Sequence, residues 1–320
     1  MKKKVMAALL AGLMALSLAA CGGSSSGSSA APAEEKTEST VAADGQAAPA
    51  EASGEQTHIY VLTASEDHGW TGSVATFAKA KVEEVNAEGT YSAELITSAS
   101  AAEQITTIED IISKGEKNIA IVVQPLDDTV QSAIQQIVDA GIPYVAFDRI
   151  IAGLESTAVS NVKGDNAGIG AAAAAYFVEL GMKPGDKVYV YEGDTSSVTA
   201  LRDQGFTDYL TGAVDYNGET IADDAKWTED DIKAITYSGA MNWSRSDTKS
   251  SFESLMGDSA NADISEQLGG IMSVTYSPSM IKTAIQDMED YLAGKDVEQD
   301  HVIACEIVTS ENVDNYEAFN

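Results

Sequence analysis

Two hydrophobic rhythms alternate along the chain from residue 57 onwards. Residues 58–63 form a short apolar run of the β type, after which Trp70, Val74, Phe77, Ala78, Val82 and Val85 recur at helical spacing. A second strand is predicted over 91–97, and Ile105, Ile108, Ile111 and Ile112 mark a second helix. Residues 118–123 are almost continuously apolar, the pattern of a strand buried on both faces. Val130, Ile134, Ile137 and Val138 give a third helix, and 144–147 a fourth strand. The rhythm resumes with an Ala-rich helix over 166–180, a strand over 187–191 and a helix over 196–210. A strand over 234–237, a helix over 244–256, a strand over 270–276, a helix over 277–293 and a strand over 302–308 complete it.

Strands that alternate with helices of this length specify βαβ units and parallel sheets, so the predicted fold class is α/β with two sheets. In open parallel sheets ligands bind outside the carboxyl ends of the strands. The polar residues at those ends are 65–68, Gln124, Asp148 with Arg149, 192–195, 241–243 and Tyr276. Carboxylates and amides bond hydroxyl groups in pairs, and aromatic faces cover the C–H patches of a ring, so this mixture suits a neutral polyol.

The amino-terminal end has a different character. Lys2, Lys3 and Lys4 precede an apolar stretch over 5–18, closed by Ala19, Ala20 and Cys21. That is the pattern of a secretory signal over 1–20, too short and wrongly flanked for a spanning helix. Leu18-Ala19-Ala20-Cys21 resembles a bacterial lipobox, which implies cleavage before Cys21 and its acylation. Residues 21–56, rich in Gly, Ser, Ala, Pro, Thr and Glu, cannot bury a core and read as a flexible tether. The expected location is therefore the outer face of the cell membrane, held through the lipid alone.

Acidic residues outnumber basic ones, 50 to 19, for a net charge of −31. Such a surface repels nucleic acid and bare anionic membrane. With Cys21 acylated, Cys305 is the one remaining thiol; it lies in the run 301–308 and reads as a buried small hydrophobe. The acidic runs 127–128, 223–224 and 229–231 lack EF-hand spacing and read as solvated surface. Gly168-Ile169-Gly170 lacks the third glycine of a dinucleotide loop, and there is no HExxH, Walker A, CxxC or Gly-x-Ser-x-Gly pattern. Neither a metal, a cofactor nor an enzymatic activity is expected.

Several motifs, in order, carry a resemblance. Gly141-Ile-Pro-Tyr-Val-Ala-Phe-Asp148-Arg149 is followed by Ser160-Asn161-Val162 and Gly164-Asp165-Asn166. Thr199-Ala-Leu-Arg202-Asp-Gln-Gly205-Phe206, Asn242-Trp243-Ser-Arg245 and Ser273-Val-Thr-Tyr276-Ser-Pro278 come after them, and Asp67-His68-Gly69-Trp70 precedes them all. Together these resemble the type I periplasmic binding protein family, within it the ribose/galactose-type sugar receptors of ABC importers. The resemblance implies two Rossmann-like lobes with parallel sheets, one from 57–161 plus 277–294 and the other from 162–276 plus 295–320. It implies hinges near 160–162 and 274–276, and a monosaccharide gripped by Asp148, Arg149 and Arg202 between Trp70 and Trp243. Asp67, His68 and Tyr276 occupy further ligand positions by the same resemblance. A monomer docking on an ABC permease is the implied partnership, with a sensor kinase or chemoreceptor, or a non-binding relic, as the alternatives.

One departure stands out. After residue 256 the chain runs almost directly into Gly269-Gly270-Ile271-Met272, without the family's Asp-Glu-Met-Ala-like and Gly-x-Asp-Gly stretches. The second lobe is accordingly expected to be short of a pair of strands and of two ligand-contacting side chains, with an exposed sheet edge left behind.

Overall fold

The computed structural model describes residues 56–65, 69–258, 261 and 273–315. Its larger sheet contains β1 (His58–Ala64), β2 (Ser92–Ser98), β3 (Ile119–Val123), β4 (Tyr144–Phe147), β5 (Ser160–Gly164) and β9 (Asp300–Ile303), in the order β2-β1-β3-β4-β5-β9. Every pairing is parallel. Side chains alternate across it, as a pleated strand requires. Ile59 and Val61 enter one core with α1 (Gly69–Glu88) and α8 (Met280–Leu292), while Tyr60 and Leu62 enter another with α2 (Ala101–Ser113) and α3 (Gln131–Asp139). All five residues of β3 are buried, as its unbroken apolar run requires of a strand covered on both faces.

Two features of this sheet correct the sequence reading. Residues 300–303 were expected in the second lobe, but β9 pairs with β5 in the first sheet, with Asn161 opposite Asp300. The preceding helix α8 packs on that sheet, and its chain continues along the nearest unpaired edge, where backbone groups need partners. Residues 160–162, expected as a hinge, lie inside β5, hydrogen-bonded to β4 on one side and β9 on the other. The run 301–308 consequently divides into β9 and β10 (Glu306–Val308), and β10 pairs antiparallel with β8 (Ser273–Thr275).

The second sheet is small. β6 (Tyr189–Glu192) and β7 (Thr236–Ala240) pair in parallel and are the only strands of this sheet among the described residues. Around them lie α4 (Asn166–Glu179), α5 (Ser197–Thr211), α6 (Glu229–Lys233) and α7 (Arg245–Gly257). Their core gathers Ala171, Ala174, Tyr209, Leu210, Ile221, Trp227 and Ile235. Yet no residue of β6 is fully buried, and Phe177, Tyr237 and Phe252 stand exposed. A sheet of two strands covers less of its flanking helices than one of six. In the acidic run 229–231, Glu229 and Asp230 are solvent-exposed and Asp231 is half-buried, and the run starts α6 through a capping box between Thr228 and Asp231.

The helices α4 and α5 cross in backbone contact. A Cβ on Gly170 would overlap the Arg202 carbonyl oxygen, and one on Gly205 the Ala167 carbonyl. These two glycines let the helix bearing Arg202 approach the amino-terminal end of α4, where Asp165 caps the Gly168 amide. That approach is what places Arg202 beside Asn166.

Candidate functional site

The site begins where β4 ends. Asp148 follows Phe147 with φ of 65°, a left-handed conformation that Asp adopts more readily than larger residues. Its amide still donates to the Val162 carbonyl at 2.8 Å, so the turn is held by the sheet while the side chain is directed inward. Only 6% of Asp148 is exposed. Its Oδ1 accepts the Tyr276 hydroxyl at 2.8 Å and its Oδ2 accepts the Gln124 amide at 2.8 Å. Gln124, at the end of β3, is itself fixed: its Oε1 takes the Ala64 amide, and Gln104 donates to its carbonyl. This buried network ties the ends of β1, β3 and β4 together.

Arg149 spans the two sheets. One terminal nitrogen lies 3.4 Å from Asp148 and the other donates to Asp194 Oδ2 at 3.1 Å. Its Nε is buried with no hydrogen-bond partner. Burial lowers the guanidinium's affinity for its proton, but the two carboxylates more than offset this and raise it. Asp194, in the turn before α5, accepts from Ser196, Thr199 and, at 2.9 Å, the Trp243 indole. Burial pushes its carboxyl up, yet the hydrogen bonds of Ser196 and Trp243 and the charge of Arg149 outweigh burial and leave it below the usual carboxylate range. Burial and the Asp148 charge push the Tyr276 phenol far above its ordinary range, so Tyr276 acts as a donor.

Arg202 donates from Nε to Asn166 Oδ1 at 3.0 Å, and its guanidinium lies 5.3 Å from the Trp243 ring centre and 6.0 Å from that of Tyr276. Asn242 and Trp243 both have positive φ, which turns the indole onto the backbone of Gly193, where a Cβ would overlap it. Trp243 is 40% exposed. Trp70 closes the other side: its indole donates to the Tyr276 carbonyl at 3.2 Å and meets the Tyr276 ring edge-on at 5.6 Å.

Six residues singled out from the sequence therefore converge: Trp70, Asp148, Arg149, Arg202, Trp243 and Tyr276. Asp67, His68 and Cys21 lie outside the described residues. The sequence reading named Gln124 and the stretch 192–195 as strand-end positions and Asn166 within a motif, but gave Asn166, Asp194 and Gln124 no role of their own. Their signal was positional, since each ends a strand or opens a helix. Cys305 is half-buried against the first core, and burial together with the Asp165 charge raises its thiol, the opposite of what a nucleophile needs.

Two carboxylates and two guanidiniums cancel in charge, with amide, phenol and indole groups around them. Such an array favours a neutral ligand with many hydroxyls over a strongly charged one. Among the described residues there is no group of three or more side chains suited to hold a metal, and no helix long and apolar enough to cross a membrane.

Residues 59–311 match the periplasmic binding protein domain. The chain belongs to that family. Its fold is the α/β arrangement of type I periplasmic binding proteins, whose members bind solutes outside the cytoplasm. Among solved structures, an ABC transporter solute-binding protein from Mycobacterium smegmatis with bound glycerol is similar at a TM-score of 0.64 and 17% identity. The match covers 83% of this chain and 99% of that one. A Caulobacter myo-inositol binding protein bound to myo-inositol is similar at 0.63 and 17%, over 84% and 98%. A glucose-galactose binding protein from Geobacillus stearothermophilus is similar at 0.60 and 16%, over 81% and 99%. No curated protein matches the chain.

Proposed function

We propose that this binding protein captures a neutral monosaccharide in a two-lobe clamp and hands it to an ABC importer permease. The carrying observation is the charge-balanced cluster of Asp148, Arg149, Asp194 and Arg202, which reaches from the end of β4 to the turn before α5 and is flanked by Trp243, Tyr276 and Trp70. Arg149 joins the two lobes through Asp194, so a ligand that replaces this contact with its own hydroxyls would bridge the lobes in its place. The buried, unpartnered Nε of Arg149 is one donor available to it. The bound polyols of the Mycobacterium smegmatis and Caulobacter proteins are of the same chemical class. Acylated Cys21 and the tether after it would hold the receptor at the membrane beside its permease, and crossings near 164–166 and 276 would let the lobes close.

Thermal unfolding of the purified chain with millimolar ribose, xylose, arabinose, galactose, glucose or myo-inositol tests the reading. A ligand at a hundred times its Kd adds about 2.7 kcal/mol, a rise in Tm of a few degrees. The rise for one sugar should disappear in Asp148→Ala. An unchanged Tm across the whole panel would overturn the proposal.

A further inference from the structure

A cavity of about 560 Å³ lies beside the proposed sugar site and shares Gly193, Thr199, Arg202 and Trp243 with it. Its size falls within the range of small-molecule sites, about 300–1,000 Å³. Its far walls are unlike the sugar site. Ala173 and Phe177 of α4, Phe206 of α5, Tyr189 and Tyr191 of β6 and Phe252 of α7 surround it. Tyr189 and Tyr191 lie 4.9 Å apart, and Tyr191 meets Phe252 at 6.5 Å, so one side is a continuous aromatic wall. Phe177 and Phe252 are 39% and 38% exposed, large apolar side chains that water now covers.

Lys187, Glu192, Asp203 and Thr236 also line the cavity, so a free monosaccharide can pair hydroxyls there, but not along the aromatic wall. Such a sugar carries a hydroxyl on nearly every carbon, and each one pressed unpaired against an apolar wall costs about 1–3 kcal/mol. The cavity suits an apolar group covalently joined to whatever Asp148, Arg149 and Arg202 hold, because Arg202 and Trp243 border both spaces. We infer that the ligand is a glycoside, a monosaccharide whose aromatic or alkyl aglycone lies in the cavity between α4, α5, β6 and α7. This deepens the sugar-binding reading and rests on it.

Calorimetric titration of the full chain with D-glucose, D-galactose and D-xylose, and with the phenyl and hexyl β-glycosides of each, tests it. A glycoside should bind at least about tenfold tighter than its parent sugar, the scale expected for burying a ring or a short alkyl chain. Ala173→Phe, which fills the cavity away from the sugar grip, should abolish that preference and leave the parent sugar's affinity unchanged. Phe252→Ala, at a half-exposed wall where folding is at little risk, should reduce the preference in the same way. Free sugars that bind as tightly as their glycosides would overturn the inference and leave the sugar-binding proposal standing. Binding of neither would overturn the inference, and together with an unchanged Tm across the six-compound panel it would overturn both. A dimer in solution that Phe252→Asp dissociates would mean that the aromatic wall is a subunit interface, and would likewise overturn the inference.

Discussion

The hydroxyl of Tyr276 donates to Asp148 Oδ1 at 2.8 Å, joining residues 128 positions apart in the sequence. With Gln124 holding the other oxygen, each oxygen of the carboxylate at the end of β4 already accepts a hydrogen bond from the protein, and Oδ1 keeps one acceptor site. Tyr276 thus stands where a ligand hydroxyl would otherwise reach Asp148, and it limits how that carboxylate can be used. Tyr276→Phe should leave a buried oxygen without its donor, at about 1–3 kcal/mol of stability. Chemical denaturation would show this as a lower midpoint at unchanged slope. An unaltered midpoint would mean the hydroxyl contributes nothing to the fold.

Asp194 links Arg149 to Trp243, and its carboxyl lies below the usual range. A depressed folded-state value contributes stability above the unfolded value, near 3.9, and loses it as pH falls through the folded value. Asp194→Asn should therefore be less stable than the parent at neutral pH, with the gap closing as the pH drops below about 4. A gap that stays constant down to pH 2 would contradict the role given to its charge.

Asp203 behaves in the opposite sense. Burial, and then the neighbouring charge of Glu192, raise its carboxyl to about 6. The folded chain then holds a proton that the unfolded chain has released, so stability falls as pH rises from about 4 towards 6. Asp203→Asn should be more stable than the parent at pH 7 and equal to it near pH 4. Melting curves at the two pH values decide the matter, and equal Tm at pH 7 would count against it.

Gly170 and Gly205 let α4 and α5 touch through their backbones. Alanine at either position must push the helices apart, with a cost of about 1–3 kcal/mol typical of overpacking. Gly205→Ala should also shift Arg202 away from Asn166 and weaken sugar binding beyond the loss of stability. A variant that melts like the parent would show that the helices have room to separate.

The alternation of apolar runs determined by itself that this is an α/β chain with parallel sheets, because strand and helix periods are local properties of the residues. The strand-end positions of Asp148, Arg149, Trp243 and Tyr276 were likewise legible, since ligands collect at one end of such sheets. Tertiary structure alone decided which sheet each strand joins. Residues 300–303 have a local pattern compatible with either sheet, and their place beside β5 follows from where α8 deposits the chain. It alone decided, too, which partners Asp194 and Asn166 find. Each hydrogen-bonds an arginine 45 and 36 positions away, and no local pattern encodes a partner at that distance. The cavity beside Trp243 is a property of the same kind. Its walls come from α4, α5, β6 and α7, and unfilled space is defined only when all its walls have been brought together.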